Sequence, residues 1–307
     1  MTENVENSTP FRNHRAGFVS IIGKPNVGKS TLMNVLVGEK MSIITSKAQT
    51  TRHRIMGILN GKHEDIPFQL VYSDTPGVVK PAYKLHDSMM TFVKGSLEDA
   101  DVVLFVTEVG EKASNHEVIP LLERTQSPVI VVLNKIDLSS DEEVKRKMDE
   151  WEAEIQPAAI IPISALHSAN IQTLFDAVIT RLPFHPPYFD EDELTDKPER
   201  FFASEIVREK IFLNYRQEIP YSSEVVISEF KERDDMIVIR AEILVERKSQ
   251  KGIIIGEKGE MLKKIGTQAR EDMEAFFGKK VFLEQYVKVE PEWRSNERKL
   301  RQFGYEE

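Results

Sequence analysis

The 307-residue chain contains no cysteine, which excludes a disulfide framework and any thiolate metal site and suits a reducing compartment. Long apolar runs are missing as well. The longest, around 101–106 and 129–133, fall far short of the roughly 18–20 residues that cross a bilayer. After Met1 the stretch TENVENSTPFRNHR is polar and lacks the apolar core of a secretory signal. The sequence therefore reads as a soluble cytoplasmic protein. Its seven histidines are scattered, without the H-E-x-x-H pairing of a zinc site, and read as structural or solvent-facing. No G-x-S-x-G elbow, internal repeat or low-complexity tract is present. Trp151 and Trp293 read as packing residues.

What is there fits two globular domains. The chain exceeds the commonest domain size, and 40% hydrophobic with 30% charged residues is enough to build a core in each half. The net charge of -9 is unevenly spread. Residues 240–301 hold 15 Lys and Arg against 11 Asp and Glu, or +4, and the remainder holds 26 against 39, or -13. A mildly basic C-terminal segment gains meaning only if a motif falls inside it.

From Ala16 onward, β-branched runs alternate with helical patterns. GFVSIIG reads as a strand, followed by a helix from Lys29 that ends at Gly38. HRIMGIL and PFQLVYSDT read as neighbouring strands joined by a turn at Asn60-Gly61. Helix 84–99, strand DVVLFVTEV, helix 114–125, strand PVIVVLNK, helix 141–155, strand AAIIPIS and helix 170–182 follow. Ser140 with Glu143 predicts a capping box for helix 141–155. The alternation predicts an α/β fold with a mostly parallel sheet covered on both faces, over 16–182 behind a flexible 1–15. Ligands gather at the carboxyl ends of such strands. The proline-rich, acidic stretch PFHPPYFDEDELTDKP predicts a surface linker over 183–199. An α+β domain follows over 200–307, with a helix from Arg200 to Tyr215, strands SSEVVISEF and MIVIRAEILVE, a Gly-punctuated helical pair over 251–277, strand KVFLEQYVKV and a charged helix from Pro291.

Gly23-Lys24-Pro25-Asn26-Val27-Gly28-Lys29-Ser30 fits G-x-x-x-x-G-K-[ST] at every position, between a strand and a helix. Glycines let successive backbone N–H groups turn onto phosphates, and the helix start at Lys29, Ser30 and Thr31 adds partial positive charge. Lys29 can reach the β- and γ-phosphates, and the Ser30 hydroxyl can ligate Mg²⁺. Asp74-Thr75-Pro76-Gly77 closes an alternating strand pattern. There the Asp74 carboxylate can hold Mg²⁺ and the Gly77 N–H can sense the γ-phosphate. In the polar stretch Gln49-Thr50-Thr51-Arg52, Thr50 or Thr51 can complete the metal shell, with Thr51 favoured. Lys29, Thr51 and Gly77 are thus the candidate groups at the transferred phosphate.

Asn134-Lys135-Ile136-Asp137 follows PVIVVL at another strand end. A carboxylate at Asp137 accepts from guanine N1–H and the 2-amine, where adenine presents a lone pair and no amine. Pairing of this kind rejects the analogue by roughly 10⁴–10⁵. Lys135 would lay its stem along the base, and Asn134 would tie neighbouring loops. Ser164-Ala165-Leu166, after the next strand, can offer a backbone N–H to guanine O6.

With these motifs, residues 17–182 resemble the translation-factor-related GTPases, in the branch whose loop reads G-x-P-N-x-G-K-S. The resemblance implies that the sheet is six-stranded, and it implies GTP hydrolysis with GTP, GDP and Mg²⁺. It also implies a potassium ion near Asn26 that stimulates turnover. One departure bears on mechanism. Val78 follows D-T-P-G, where Ras-like proteins place a water-orienting glutamine, so intrinsic turnover should be slow. Arg52 and Arg54 are candidates for stabilising charge on the transferred group, against a plain reading as solvated residues.

Within the basic segment lies Gly256-Glu257-Lys258-Gly259, a G-x-x-G between apolar helical patterns. Such a turn lets a sugar–phosphate backbone approach, with charge from Lys258 and from nearby Lys251, Lys263, Lys264 and Arg270. Together with Q-T-T-R-H at 49–53 and E-R-K-L-R-Q-F-G-Y at 297–305, this resembles the bacterial ribosome-assembly GTPases that end in a type II KH domain. That resemblance implies binding of 16S ribosomal RNA near its 3′ end and action on the 30S subunit as a monomer. It further implies nucleotide-controlled docking and peripheral association with the inner membrane.

Overall fold

Alternating patterns of β-branched and helical residues build two compact units in the computed structural model, which describes residues 13–45, 47–114 and 116–305. The expected flexible start at 1–15 lies outside the described residues as far as position 12, and Arg15 already opens the first strand.

One unit comprises the chain up to Glu39, Ile55–Thr75 and Lys94–Asp196. Its elements are β1 (Arg15–Ile22), α1 (Lys29–Val37), β2 (Ile55–His63), β3 (Ile66–Asp74), the end of α2 (Lys84–Glu98), β4 (Val102–Glu108), α3 (Ile119–Leu122), β5 (Val129–Asn134), α4 (Asp141–Ile155), β6 (Ala159–Pro162) and α5 (Ile171–Ile179). The sheet order is β2-β3-β1-β4-β5-β6, antiparallel only between β2 and β3. The central strands β4 and β5 are apolar and buried, as a sheet covered on both faces demands. Gly38 caps α1 in the left-handed conformation, and the Ser140–Glu143 capping box starts α4.

Two sequence expectations change in this unit. The β2–β3 hairpin turns at Glu64-Asp65, both with positive φ (49° and 67°), which a two-residue turn requires. Asn60 and Gly61 instead pair with Gln69 and Phe68 inside the ladder. Gly61 is needed for close approach, since a Cβ there would sit 2.8 Å from the Phe68 ring. The helix expected over 114–125 shrinks to one turn, Ile119–Leu122. The proline-rich stretch after Leu182 lies at the surface, as a linker there should, and is tied to the sheet as far as Asp196. Leu194 O accepts from Ile58 N at 2.9 Å, Asp196 Oδ1 from Met56 N at 2.9 Å, and the Gln69 amide is held by the Tyr188, Phe189 and Asn60 groups. The strap satisfies the outer edge of β2, which would otherwise be an open template for pairing.

The other unit comprises Lys40–Arg54, Pro76–Val93 and the chain from Lys197. It holds the first part of α2, then α6 (Glu199–Asn214), α7 (Ile219–Ser222), β7 (Ser223–Glu232), β8 (Met236–Val245), α8 (Lys248–Ile255), α9 (Glu260–Phe277), β9 (Lys280–Val289) and α10 (Glu297–Gln302). The final helix thus starts at Glu297 rather than Pro291, after a single 3₁₀ turn at Trp293–Ser295. The sheet order is β7-β8-β9, antiparallel then parallel, with α6, α8 and α9 supplying Val207, Ile211, Ile254, Ile265 and Met273 to a core on one face.

A second cluster in this unit joins Leu85, Met89 and Phe92 of α2 to Trp293, Leu300 and Tyr305. Beside it, Arg52 is wholly buried and donates to Ser223 O (2.9 Å), Glu224 Oε2 (2.9 Å), Pro220 O (3.1 Å) and Tyr221 O (3.2 Å). Tyr305 Oη donates to the same Glu224 oxygen at 2.6 Å, and His53 stacks on the Tyr305 ring at 4.2 Å. Arg208 bonds Glu205 and the Thr50 carbonyl.

Candidate nucleotide and RNA sites

In the six-stranded unit the carboxyl ends of β1, β3, β5 and β6 bring the sequence motifs together. Lys29 at the start of α1 is buried, its Nζ donating to Lys24 O (2.8 Å) and Gly23 O (3.2 Å). Burial pulls this ammonium down to about 8, against the opposing pull of Asp74 and Glu111. Ser30 Oγ donates to Asp74 Oδ2 at 2.7 Å, placing two hard oxygen donors side by side. Thr75 Oγ1 donates to Ile21 O at 2.7 Å, which ties the end of β3 to β1. Asn26 takes a left-handed φ of 67°, Val27 is buried, and Pro25 and Thr31 are half-buried.

The loops that carry Asn134, Lys135 and Asp137 are cross-braced. Asn134 Nδ2 donates to Val27 O at 2.8 Å and its Oδ1 accepts from Ala165 N at 3.0 Å, so one side chain joins three loops. Lys135 Nζ reaches Glu108 Oε2 at 2.5 Å. The Ser164 hydroxyl beside Asp137 holds its carboxyl below the usual range, helped by His167 and Lys135. Leu166 projects outward, 75% exposed.

The cradle fits a polyphosphate. Gly28 has φ 101°, and a Cβ there would lie 2.2 Å from Asn134 Nδ2, so any side chain would break the brace and fill the loop. Ser30 and Asp74 are the oxygen donors that Mg²⁺ prefers.

Thr50, Thr51, Pro76 and Gly77 belong to the other unit, where all four are buried. Thr50 Oγ1 donates to Lys47 O at 2.7 Å, so its hydroxyl is engaged within its own loop. Arg52 and Arg54 are 0% and 5% exposed. They are not solvated residues, and the Arg52 guanidinium is spent on the carbonyls and carboxylate around β7. Val78 is buried and offers no group that could orient water.

The Gly256–Gly259 turn links α8 to α9. Gly256, Lys258 and Gly259 all take positive φ (73°, 49° and 82°), and space is open above Gly259. Glu257, Lys258, Lys263 and Lys264 are exposed, Lys251 is half-buried, and no ion pair with a described residue engages any of these lysines. Arg270 by contrast is paired with Glu274 at 2.9 Å. Ile253, 49% exposed, adds an apolar surface beside the turn.

A family model described as "50S ribosome-binding GTPase" matches residues 18–135, and one described as "KH domain" matches residues 218–294. The GTPase Era of Geotalea uraniireducens is 47% identical over 296 residues, covering 95% of this chain and 98% of its own. The chain belongs to the Era family of GTPases. Two solved structures agree with this. An Era in complex with MgGDPNP and nucleotides 1506–1542 of 16S ribosomal RNA superimposes with a TM-score of 0.91 at 43% identity, covering 96% of this chain and all of its own. A variant of Aquifex aeolicus Era bound to GDP and tetrafluoroaluminate gives 0.90 at 43% identity, covering 95% and 100%. As an Era, the protein is a GTP hydrolase that uses GTP, GDP and Mg²⁺, with a P-loop sheet domain and a KH domain.

Sequence reasoning missed the groups that brace this Era's site from the end of β4: Thr107, Glu108, Glu111 and His116. The signal was present, since T-E-V-G-E places carboxylates at a strand's carboxyl end, where ligands gather.

Proposed function

We propose that this Era-family chain holds GTP·Mg²⁺ at the β1, β3, β5 and β6 strand ends, hydrolyses it, and binds 16S ribosomal RNA through the Gly256–Gly259 turn during assembly of the 30S subunit. The observation that carries the reading is the joining of phosphate loop, Ser30–Asp74 pair and Asn134 brace at one sheet edge. The same chain carries a glycine turn flanked by lysines that no described residue pairs.

The backbone N–H groups of Asn26 to Ser30 and the Lys29 ammonium hold the phosphates, and Gly77 N–H reports the γ-phosphate. Ser30, Asp74 and Thr51 hold the magnesium, which supplies positive charge against the β- and γ-phosphate oxygens. Of the two neighbouring threonines we assign this part to Thr51, and the Thr50 hydroxyl donates to Lys47 O. Asp137 reads the guanine edge, the Ser164–Leu166 stretch supplies O6 with a backbone donor other than the Ala165 N–H, which Asn134 Oδ1 engages, and Lys135, oriented by Glu108, covers the ring. With Val78 in place of a glutamine, unassisted turnover is slow, and potassium beside Asn26 accelerates it. Lys251, Lys258, Lys263 and Lys264 meet the RNA backbone while Ile253 faces unstacked bases. The protein works as a monomer in the cytoplasm. No helix among the described residues is long and apolar enough to cross a membrane, so contact with the inner membrane is peripheral and salt-sensitive.

The test is titration calorimetry of the full chain with GTP, ATP and XTP in magnesium, on the wild type and Asp137→Asn. The wild type should take GTP and refuse ATP, and the variant should exchange GTP for XTP. A wild type that binds ATP as well as GTP would end this reading. A 3′-terminal 16S RNA fragment added to the GTP-loaded chain tests the second half, and failure to bind would remove the RNA role alone.

A further inference from the structure

Glu111 lies outside every motif, yet three side chains engage it beside the phosphate loop. Its Oε2 accepts from Thr107 Oγ1 at 2.8 Å and from His116 Nε2 at 3.2 Å, and its Oε1 lies 3.6 Å from Lys24 Nζ. The tautomer of His116 follows from its other nitrogen. Nδ1 accepts from Val118 N at 3.3 Å, so the proton sits on Nε2 and points at Glu111. The imidazole side chain is fully buried, edge-on to Phe105 and Trp151 at 5.3 Å each. Burial pushes the Glu111 carboxyl up, but the His116 and Thr107 hydrogen bonds and the Lys24 charge outweigh it, leaving the group ionised.

A part-buried anion beside a phosphate site is costly unless it serves something. Here its free oxygen meets the second residue of the loop. Lys24 is thereby held from both ends: its ammonium by Glu111 and its carbonyl by Lys29 Nζ at 2.8 Å. Beyond Pro25, which has no N–H to donate, come the peptides from Asn26 onward that must face the phosphates.

We propose that Glu111, locked by Thr107 and His116, is a positioning residue that tethers Lys24 and so holds the first turn of the phosphate loop in its nucleotide-binding form. It touches no reacting atom. Its effect falls on nucleotide retention, equally for GTP and GDP, because the loop amides serve phosphates common to both. The inference rests on the assignment of this loop as the nucleotide site.

Dissociation rates of fluorescent GDP and of a non-hydrolysable fluorescent GTP analogue test it on the full chain. Glu111→Gln and Lys24→Met should each speed release of both nucleotides about three- to fivefold, the reach of one partly exposed ion pair. The double variant should be no faster than the worse single one, and Lys24→Arg should return to within about twofold of wild type. His116 separates positioning from packing. His116→Gln keeps an N–H where Nε2 stood but loses the ring, whereas His116→Phe keeps the ring and loses the donor. Positioning requires release to quicken in His116→Phe and not in His116→Gln, and the reverse order would overturn the proposal. Effects of Lys24→Met and Glu111→Gln that multiply, or an unaltered rate in Lys24→Met, would overturn it too. Lys24 is partly exposed, so this arm stands even if a His116 variant fails to fold. Wild type that binds neither nucleotide would instead sink the site assignment.

Discussion

Replacing Arg52 by methionine should destabilise the C-terminal unit more than any change in the nucleotide pocket. The side chain is 0% exposed and distributes its donors over three carbonyls and the Glu224 carboxylate. Methionine matches the stem but leaves Glu224, itself 5% exposed, without its ion-pair partner, keeping the Tyr305 hydroxyl, the Val225 amide and the Arg208 charge against a buried carboxylate. Breaking one side of a buried pair costs about 3–5 kcal/mol, far above the surface-substitution range of about 0.5 kcal/mol. Lysine should recover only part of this, because an ammonium has three donors and cannot span a fork of four acceptors. Trp293 reports locally, since its ring lies 5.7 Å from the Arg52 guanidinium and its Nε1 donates to Ser222 O at 3.0 Å. The assay is urea denaturation followed by tryptophan fluorescence in a Trp151→Phe background, where Trp293 is the remaining indole. Adding Glu224→Gln to Arg52→Met should restore part of the loss by removing the stranded charge. If Arg52→Met lay within about 1 kcal/mol of its parent, the account of this buried cluster would be refuted.

The remaining expectations are narrower. Gly256→Asp with Gly259→Asp should abolish RNA binding through bulk and like charge while RNA-free GTP turnover persists, and wild-type RNA affinity should fall steeply with salt in a filter-binding series. Burial, with Arg208, Lys197 and Arg52 adding to it, depresses His53 from 6.5 to about 3. The unfolded chain therefore takes up this proton first. The stability contribution is whole above about pH 6.5 and is lost as pH falls toward 3, costing roughly 2 kcal/mol between pH 7 and pH 5. His53→Phe keeps the stack on Tyr305 without the titration, so denaturation midpoints measured across that range should fall less steeply for it. Parallel slopes for the two proteins would argue against the buried imidazole as the source.

The nucleotide motifs were readable because phosphate, metal and guanine each demand particular residue types at the ends of strands, and periodicity located those ends. Gly38 as a cap and the Ser140–Glu143 box were readable for the same local reason. What failed depended on distant partners. Asn60-Gly61 has the composition of a tight turn, but β2 pairs with β3 through His63 and Ile66, which puts the turn at Glu64-Asp65. Arg52 looked solvated because its four acceptors lie 168–172 residues further along the chain. Helix α6 reads as an ordinary charged amphipathic segment, yet Glu205, Arg208, Glu209 and Lys210 are all buried. Lys210, for example, pairs with Asp272 as well as with Glu209. Charge alone does not reveal whether water or another side chain will answer it.

The grouping of Lys40–Arg54 and Pro76–Val93 with the chain beyond Lys197 carries a practical consequence for dissecting this molecule. Cleavage at 183–199 leaves an amino-terminal fragment retaining every nucleotide motif, but Leu85, Met89 and Phe92 lose Trp293, Leu300 and Tyr305, which cover them in the intact chain. Arg52 in that fragment must find water in place of four protein oxygens. A truncated enzyme of this kind should be sticky and poorly ordered around residues 40–54 and 76–93, so its turnover would be a misleading measure of the whole.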